Sequence, residues 1–208
     1  MTLMTAKKLS PEDKLVTAAL AEIEKGGWKA LSLTALARKA KIEPAVIYDL
    51  CPDKRALLAL IGKRIDVAAL ERAPELDDDA PPRDRAFDAI LSCFESMGPM
   101  KPALQVIHDE SARDPGALFD ALPATIRSAQ WIADSAGLPT SGWQGFLVTR
   151  GIGVLLAETL GIWLQDGEDL AKTMAHVDRR LRMIEEWAGM LDRKPEDKAA
   201  EDDRIRAD

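Results

Sequence analysis

His108-Asp109-Glu110 sets an imidazole beside two carboxylates, the residue types that bind a metal or shuttle a proton. On a helix, neighbours one and two apart point in different directions, and with only 2 histidines in the chain none falls at ligand spacing from His108. Gly151-x-Gly153 lies inside a helical pattern and does not open one, so it is no phosphate cradle. No nucleophile elbow, phosphate-binding loop or dinucleotide fingerprint occurs. The expectation is a protein that is not an enzyme and uses no metal and no cofactor. The only cysteines, Cys51 and Cys93, together with an N-terminus lacking a secretory pattern, point to a reducing cytoplasm. Cys51 reads as a packed thiol, with a redox switch as the alternative; alkylation in the folded state separates the two.

What remains is binding. Residues 31–54, "LSLTALARKAKIEPAVIYDLCPDK", read as a short helix, a tight turn and a second short helix, the form in which proteins enter a DNA groove. The overall charge of -7 argues against a generic nucleic-acid binder. Residues 1–65, however, hold 12 Lys plus Arg against 7 Asp plus Glu, leaving 16 against 28 in the remainder. A basic head on an acidic body suits a nucleic-acid-binding domain joined to an effector domain. A second set of residues has the chemistry of an apolar pocket: Phe87, Phe94, Met97, Met100, Leu104, Phe119, Trp131, Phe146, Leu155 and Trp163. Their faces are expected to converge on an apolar small molecule or lipid; filling an ordinary core is the other reading.

The elements that must position these groups are helices, since no stretch alternates with period two. Ser10, Pro11 and Asp13 open the first, which Gly26 and Gly27 close; its stripe is Leu15, Ala18, Ala19 and Ile23. Ser32 caps a second with Leu33, Leu36, Ala37 and Ala40, and Lys41 to Glu43 turn into a third with Val46, Ile47 and Leu50. Pro52 stops that helix, and Asp53 caps a fourth running from Lys54 to about Arg72. Ala73 to Asp84, rich in proline and acid, reads as a linker. Phe87, Ile90, Leu91, Phe94 and Met97 mark a fifth helix, and others are expected near 102–112, 116–136, 142–164 and 168–191. Domain boundaries follow: a helix-turn-helix head over 1–55, a body of about six helices over 56–192, and a disordered tail over 193–208.

Gly142 to Leu164 is apolar over roughly a bilayer's thickness, but Arg150 and Glu158 interrupt it, so a buried helix is expected and no transmembrane segment. In the last helix Leu170, Met174, Val177, Leu181, Ile184, Ala188 and Leu191 recur at steps of four and three, a narrow seam for one partner helix. The preceding helix carries Gly145, Gly151, Gly153 and Gly161, which allow close backbone approach. The two form the expected four-helix homodimer interface, with Gly153, Leu170, Met174, Val177, Leu181 and Ile184 at its contacts; completion of a monomeric core is the competing reading. His176 stands beside this seam, where its protonation could make dimerisation pH-dependent.

Thr17 to Leu58 resembles, without a gap, the N-terminal domain of the TetR family of transcriptional regulators. The matching features are the Ala-rich first helix ending at Gly26 and Gly27, Leu31 and Ser32 opening the second, Leu36-Ala37, Ala40 before the turn, Tyr48 and Lys54. The resemblance implies an all-α, TetR-like homodimer whose heads sit in successive major grooves of duplex DNA and whose body binds a small effector. Carried over by position, Ser32 and Thr34 would meet phosphates at the start of the second helix. Pro44, Ala45, Val46, Tyr48 and Asp49 would face the groove, with Tyr48 and Lys54 holding the backbone. Where the family commonly has Gly-Val-Ser before the recognition helix, this chain has Lys41-Ile42-Glu43, and after the tyrosine it has Asp49-Leu50-Cys51. Glu43 and Asp49 cost affinity near phosphates, although Asp49 can accept from cytosine N4. The nonspecific grip must come from Lys29, Arg38, Lys39, Lys41, Lys54 and Arg55. The body, best over Trp163 to Glu185, is similar to the lipid-binding accessory protein family of ubiquinone biosynthesis, whose members share the fold without acting as repressors. The leading expectation is a ligand-responsive regulator of palindromic operator DNA; the alternative is a lipid or isoprenoid-quinone accessory protein on the same scaffold.

Overall fold

Ser10 starts the first helix as its sequence requires. Its Oγ accepts the Asp13 N–H at 3.1 Å, and Pro11 takes the first helical position of α1 (Pro11–Gly26), where its missing N–H costs nothing. Ser32 caps α2 (Leu33–Ala40) by accepting from Ala35 N–H at 3.4 Å. α3 (Pro44–Leu50) follows the turn, and Asp53 Oδ1 accepts the Ala56 N–H at 2.7 Å to open α4 (Lys54–Arg72). α5 (Pro82–Ser96), a short 3-10 turn (Gly98–Met100), α6 (Lys101–Ser111), α7 (Pro115–Ser135), α8 (Gly142–Leu164) and α9 (Ala171–Asp192) complete the chain. The computed structural model describes residues 9–72, 79–113 and 115–192, with backbone alone at 115, 117–119 and 187–192. The all-α architecture read from the sequence is found: nine α-helices and no strand among the described residues.

Two starts differ from expectation. α5 begins at Pro82, inside the segment read as a linker, because proline suits a first turn that also carries Asp84. α9 begins at Ala171 and not near 168: Leu170 takes φ 52°, outside the helix, and its carbonyl accepts the Met174 N–H. Residues 73–78 of the linker and the expected tail over 193–208 lie outside the described residues.

The apolar residues gather into two clusters. The head cluster joins Leu15, Val16, Ala19 and Ile23 of α1 to Leu36 and Ala37 of α2, Ile47 of α3 and Cys51. It also draws Leu57 and Ile61 from α4, Met100 from the 3-10 turn and Ala103 from α6, so the head's packing continues past the boundary expected at residue 55. The body cluster centres on Ile90 and Phe94 of α5, Ile132 of α7, Ile152, Leu155 and Trp163 of α8, and Val177 and Leu181 of α9. Ile65 and Leu104 pack against both. Full burial of one such side chain contributes about 1.5–3 kcal/mol, so each cluster can hold its helices without cross-links.

α4 is also joined to α7 by polar contacts. Asp66 of α4, only 8% exposed, accepts from Ser128 Oγ at 2.5 Å and from Arg127 Nε at 3.3 Å, both on α7. Arg127 further donates to the Ala59 carbonyl at 3.1 Å, close to Gly62, where the two helices approach.

The seam on α9 serves its own protomer. Val177 and Leu181 are buried in the body cluster, with Leu170 and Ile184 packed against it, and Gly153 faces Ile126 of α7. Gly153, Val177 and Leu181, expected at contacts with a second copy, are turned inward here, where α9 packs on both α8 and α5 of its own chain. Met174 remains exposed, and the side chains of Ala188 and Leu191 lie outside the described residues. α8 has the length and apolarity of a membrane span, but Ile152, Leu155 and Trp163 carry much of that apolarity into the body cluster.

Candidate nucleic-acid interface

The turn between α2 and α3 is tight because Lys41 adopts the left-handed conformation, φ 53° and ψ 46°. Its N–H bonds to Arg38 O at 3.3 Å and the Ile42 N–H to Ala37 O at 3.1 Å, closing the end of α2. Glycine fits this position without cost, whereas an L-residue there is strained by about 1–2 kcal/mol. α3 then starts at Pro44 with no side-chain cap from Glu43.

α3 commits one side chain fully to the core and a second, Leu50, in part. Ile47 is buried under α1 and α2, while Pro44, Ala45, Val46, Tyr48 and Asp49 all face solvent, Tyr48 at 72% exposure. The five residues carried over as groove-facing are thus the five that α3 leaves outward. Ser32 and Thr34 are exposed at the start of α2, although the Ser32 Oγ already accepts the Ala35 N–H. Cys51 closes α3 from beneath at 1% exposure, its Sγ donating to Asp53 O at 3.3 Å. Burial, with Asp53 adding to it, pushes this thiol up to about 11, so it is a packed group and not a reactive thiolate.

The expected rim of positive charge is only partly free. Lys39 pairs with Glu22, and Arg55 donates to Asp120 Oδ1 of α7 at 2.8 and 3.1 Å. Lys54 departs from its expected role. Its Nζ donates to the carbonyls of Trp28 and Lys29, both at 2.9 Å, and lies 5.5 Å from the Trp28 ring centre, which uses two of its three hydrogens inside the protein. Lys29, Arg38 and Lys41 are exposed and carry no ion pair among the described residues. Of the six rim cations, Lys29, Arg38 and Lys41 thus stand outward beside the anions Glu43 and Asp49.

In the body, six of the expected pocket residues come together: Phe94, Met97, Leu155 and Trp163 are buried, with Phe87 and Leu104 against them. The Phe94 and Trp163 rings lie 5.9 Å apart at 43°, and Lys101 Nζ sits 4.9 Å over Trp163. Met100 belongs to the head cluster instead. Trp131 and Phe146 do not converge: both are half exposed. On α7 the inner stripe is Ala129, Ile132, Ala133 and Ala136, which leaves Trp131 outside. Phe146 stacks on Trp143 at 5.9 Å on the outer side of α8, beneath Arg150. Phe119 lies outside the described side chains.

His108 Nδ1 is 3.4 Å from Asp109 Oδ1, but Asp109 is exposed, and no group of three or more potential ligands is placed to hold a metal among the described residues. Glu110 turns away from both and accepts the Lys29 N–H at 2.8 Å. Glu110, Asp66 and Asp120 make long-range contacts that sequence reasoning missed, the first and last of them between body and head. Their partners are 81, 62 and 65 residues away, beyond any local pattern.

No protein-family model and no curated protein sequence matches the chain. Solved structures do. A TetR transcriptional regulator from Nitrosomonas europaea superposes with a TM-score of 0.62 at 17% identity, over 84% of this chain and 98% of its own. Another, from a Rhodococcus species, gives 0.60 at 13% identity, over 83% and 94%. Helix order, head and body together thus have the fold of TetR transcriptional regulators.

Proposed function

We propose that the chain is a DNA-binding transcriptional regulator that acts in the cytoplasm as a homodimer, by binding and not by catalysis. One observation carries the reading: α3 turns Ile47 and, in part, Leu50 inward and leaves Pro44, Ala45, Val46, Tyr48 and Asp49 outward on a packed helix-turn-helix. Val46 offers a methyl surface for thymine, and Asp49 an acceptor for cytosine N4. Lys29, Arg38 and Lys41 supply the phosphate attraction. With Lys39, Lys54 and Arg55 engaged within the protein, affinity depends on both heads engaging one palindrome.

Because Val177, Leu181 and Gly153 are used within the protomer, the second copy docks on the outer faces of α8 and α9. Leu147, Val154, Met174 and Met183 are exposed there, beside the Glu158–Arg180 ion pair. The Phe94–Trp163 cluster is where an apolar effector would enter, repacking side chains to change the spacing of the heads.

The test is an anisotropy titration of a palindromic fragment from the gene's own upstream region with wild type, Tyr48→Ala and Val46→Ala. Loss of about 1–3 kcal/mol in each variant is expected, with relaxed specificity for Val46→Ala. Equal binding by all three sinks the reading.

A second reading has one observation in its favour. Lys39, Lys54 and Arg55 are engaged inside the protein while Glu43 and Asp49 are exposed, as suits a scaffold freed from DNA whose body handles a lipid or isoprenoid quinone. Native mass spectrometry distinguishes them: a co-purified apolar ligand in a protein that ignores the palindrome supports this second reading.

A further inference from the structure

We propose that Glu110 is the positioning residue of the DNA-reading head: it ties α6 to the loop that starts α2 and so fixes where the recognition helix stands. The proposal rests on the DNA-reading function argued above.

The loop between α1 and α2 is gripped from two sides at one residue. The Lys29 N–H donates to Glu110 Oε2 of α6 at 2.8 Å, while the Lys29 carbonyl accepts from Lys54 Nζ of α4 at 2.9 Å. Gly27 makes room for this contact. It stands at φ 87°, and a Cβ there would overlap Glu110 Oε1. Three residues after Lys29, Ser32 caps α2, so the height and angle of α2, and of α3 behind it, follow the held loop.

The far end of α6 is fixed to the body. Lys101 Nζ donates to Asp166 O at 2.8 Å and lies over the buried Trp163 ring, which packs on Phe94. Between the two ends Leu104 touches both apolar clusters, and His108 lies against Gly161 of α8. Residues 101 to 110 of a helix span about 14 Å and move as a rod. The seat of α6 in the body, set by Lys101 against Asp166 and Trp163, therefore fixes where the Glu110 carboxylate holds Lys29. Arg55–Asp120 and Asp66–Arg127 join the body to α4, whereas Glu110 addresses the α1–α2 loop directly.

The test compares wild type, Glu110→Ala and Glu110→Gln, all full length. Amide exchange at Lys29 is followed by NMR without DNA, and anisotropy is measured on the palindrome that wild type enriches from a random duplex library. Glu110→Ala is expected to speed Lys29 exchange and weaken palindrome binding, each about tenfold, with the thermal midpoint nearly unchanged. Glu110→Gln keeps an oxygen acceptor and is expected to restore both. Unchanged exchange in Glu110→Ala, or faster exchange with unchanged affinity, overturns the positioning role and leaves DNA reading standing. Losses of affinity that match falls in thermal midpoint in both variants also overturn it, because they mark a purely structural contact. If wild type enriches no palindrome, the DNA reading itself fails and the proposal with it.

Discussion

Replacing Lys41 with glycine separates stability from function with opposite signs. Lys41 holds φ 53° and ψ 46°, where an L-residue is strained by about 1–2 kcal/mol. Glycine relieves that strain but gives back roughly 0.5–1 kcal/mol as extra freedom in the unfolded chain. The net expectation is a stabilisation of about 0.5–1 kcal/mol, a rise of roughly 2 °C in Tm for a chain of this size. The same change removes one of the outward cations beside the recognition helix. If Lys41 meets a phosphate, the dependence of log K on log salt should flatten by about 0.9 per head, or nearly 2 for a dimer. Urea denaturation measures the first effect, and anisotropy at several salt concentrations the second. Lys41→Ala is the control, losing the charge and keeping the strained backbone, so affinity should fall alike without the gain in stability. A fall in the urea midpoint for Lys41→Gly refutes the strain argument. An unchanged salt slope in both variants removes Lys41 from the DNA face.

Asp66→Ala leaves Ser128 Oγ with the Ala124 carbonyl as its remaining acceptor and takes the charge partner from a partly exposed Arg127, with an expected cost of about 1–3 kcal/mol in urea denaturation. Because they share one network, Asp66→Ala and Arg127→Ala combined should cost less than the sum of the two. Burial raises Cys51 to about 11 and Cys93 to about 12, from an ordinary 9.0. The folded state then keeps protons that the unfolded state releases, so stability present below pH 9.0 should fall by a few kcal/mol as pH rises toward 11. The Cys51→Ala/Cys93→Ala protein should lose this alkaline slope in urea titrations, and iodoacetamide should label neither thiol at pH 8 before unfolding. His176 is held below its ordinary 6.5 by burial and by Arg179 and Arg180, against the opposing pull of Glu158, whose Oε2 lies 3.8 Å from Nε2. Stability should therefore be full above 6.5 and decline on acidification through the depressed value, a decline that His176→Gln should reduce.

Helix starts were legible because capping is local: Ser10, Ser32 and Asp53 each bond an N–H three residues ahead. The helix-turn-helix was legible for the same reason, as its length and caps fit within residues 31–54. Lys41 could be marked as a departure from glycine, but its left-handed backbone follows only from the closure of α2. The α9 seam was visible as periodicity, while the identity of its partner was not, because steps of four and three do not say whether the facing helix is in the same chain. Trp131 shows how residue type can mislead: a large aromatic was assigned to the interior although the stripe Ala129, Ile132, Ala133 and Ala136 had already taken that face. The ties through Glu110, Asp66 and Asp120 depend on how distant helices cross, and short-range spacing carries no trace of them. Lys54 was drawn inward by two carbonyls of a loop 25 and 26 residues earlier, a contact equally invisible to the pattern around it.

The most direct test of the central claim is the ratio of wild-type affinities for the enriched palindrome and for a scrambled duplex, measured at two salt concentrations. The account predicts a preference of at least about a thousandfold that survives added salt while both affinities fall. A ratio near one at both concentrations would contradict it, because an α3 face that cannot tell sequences apart is no reader of DNA.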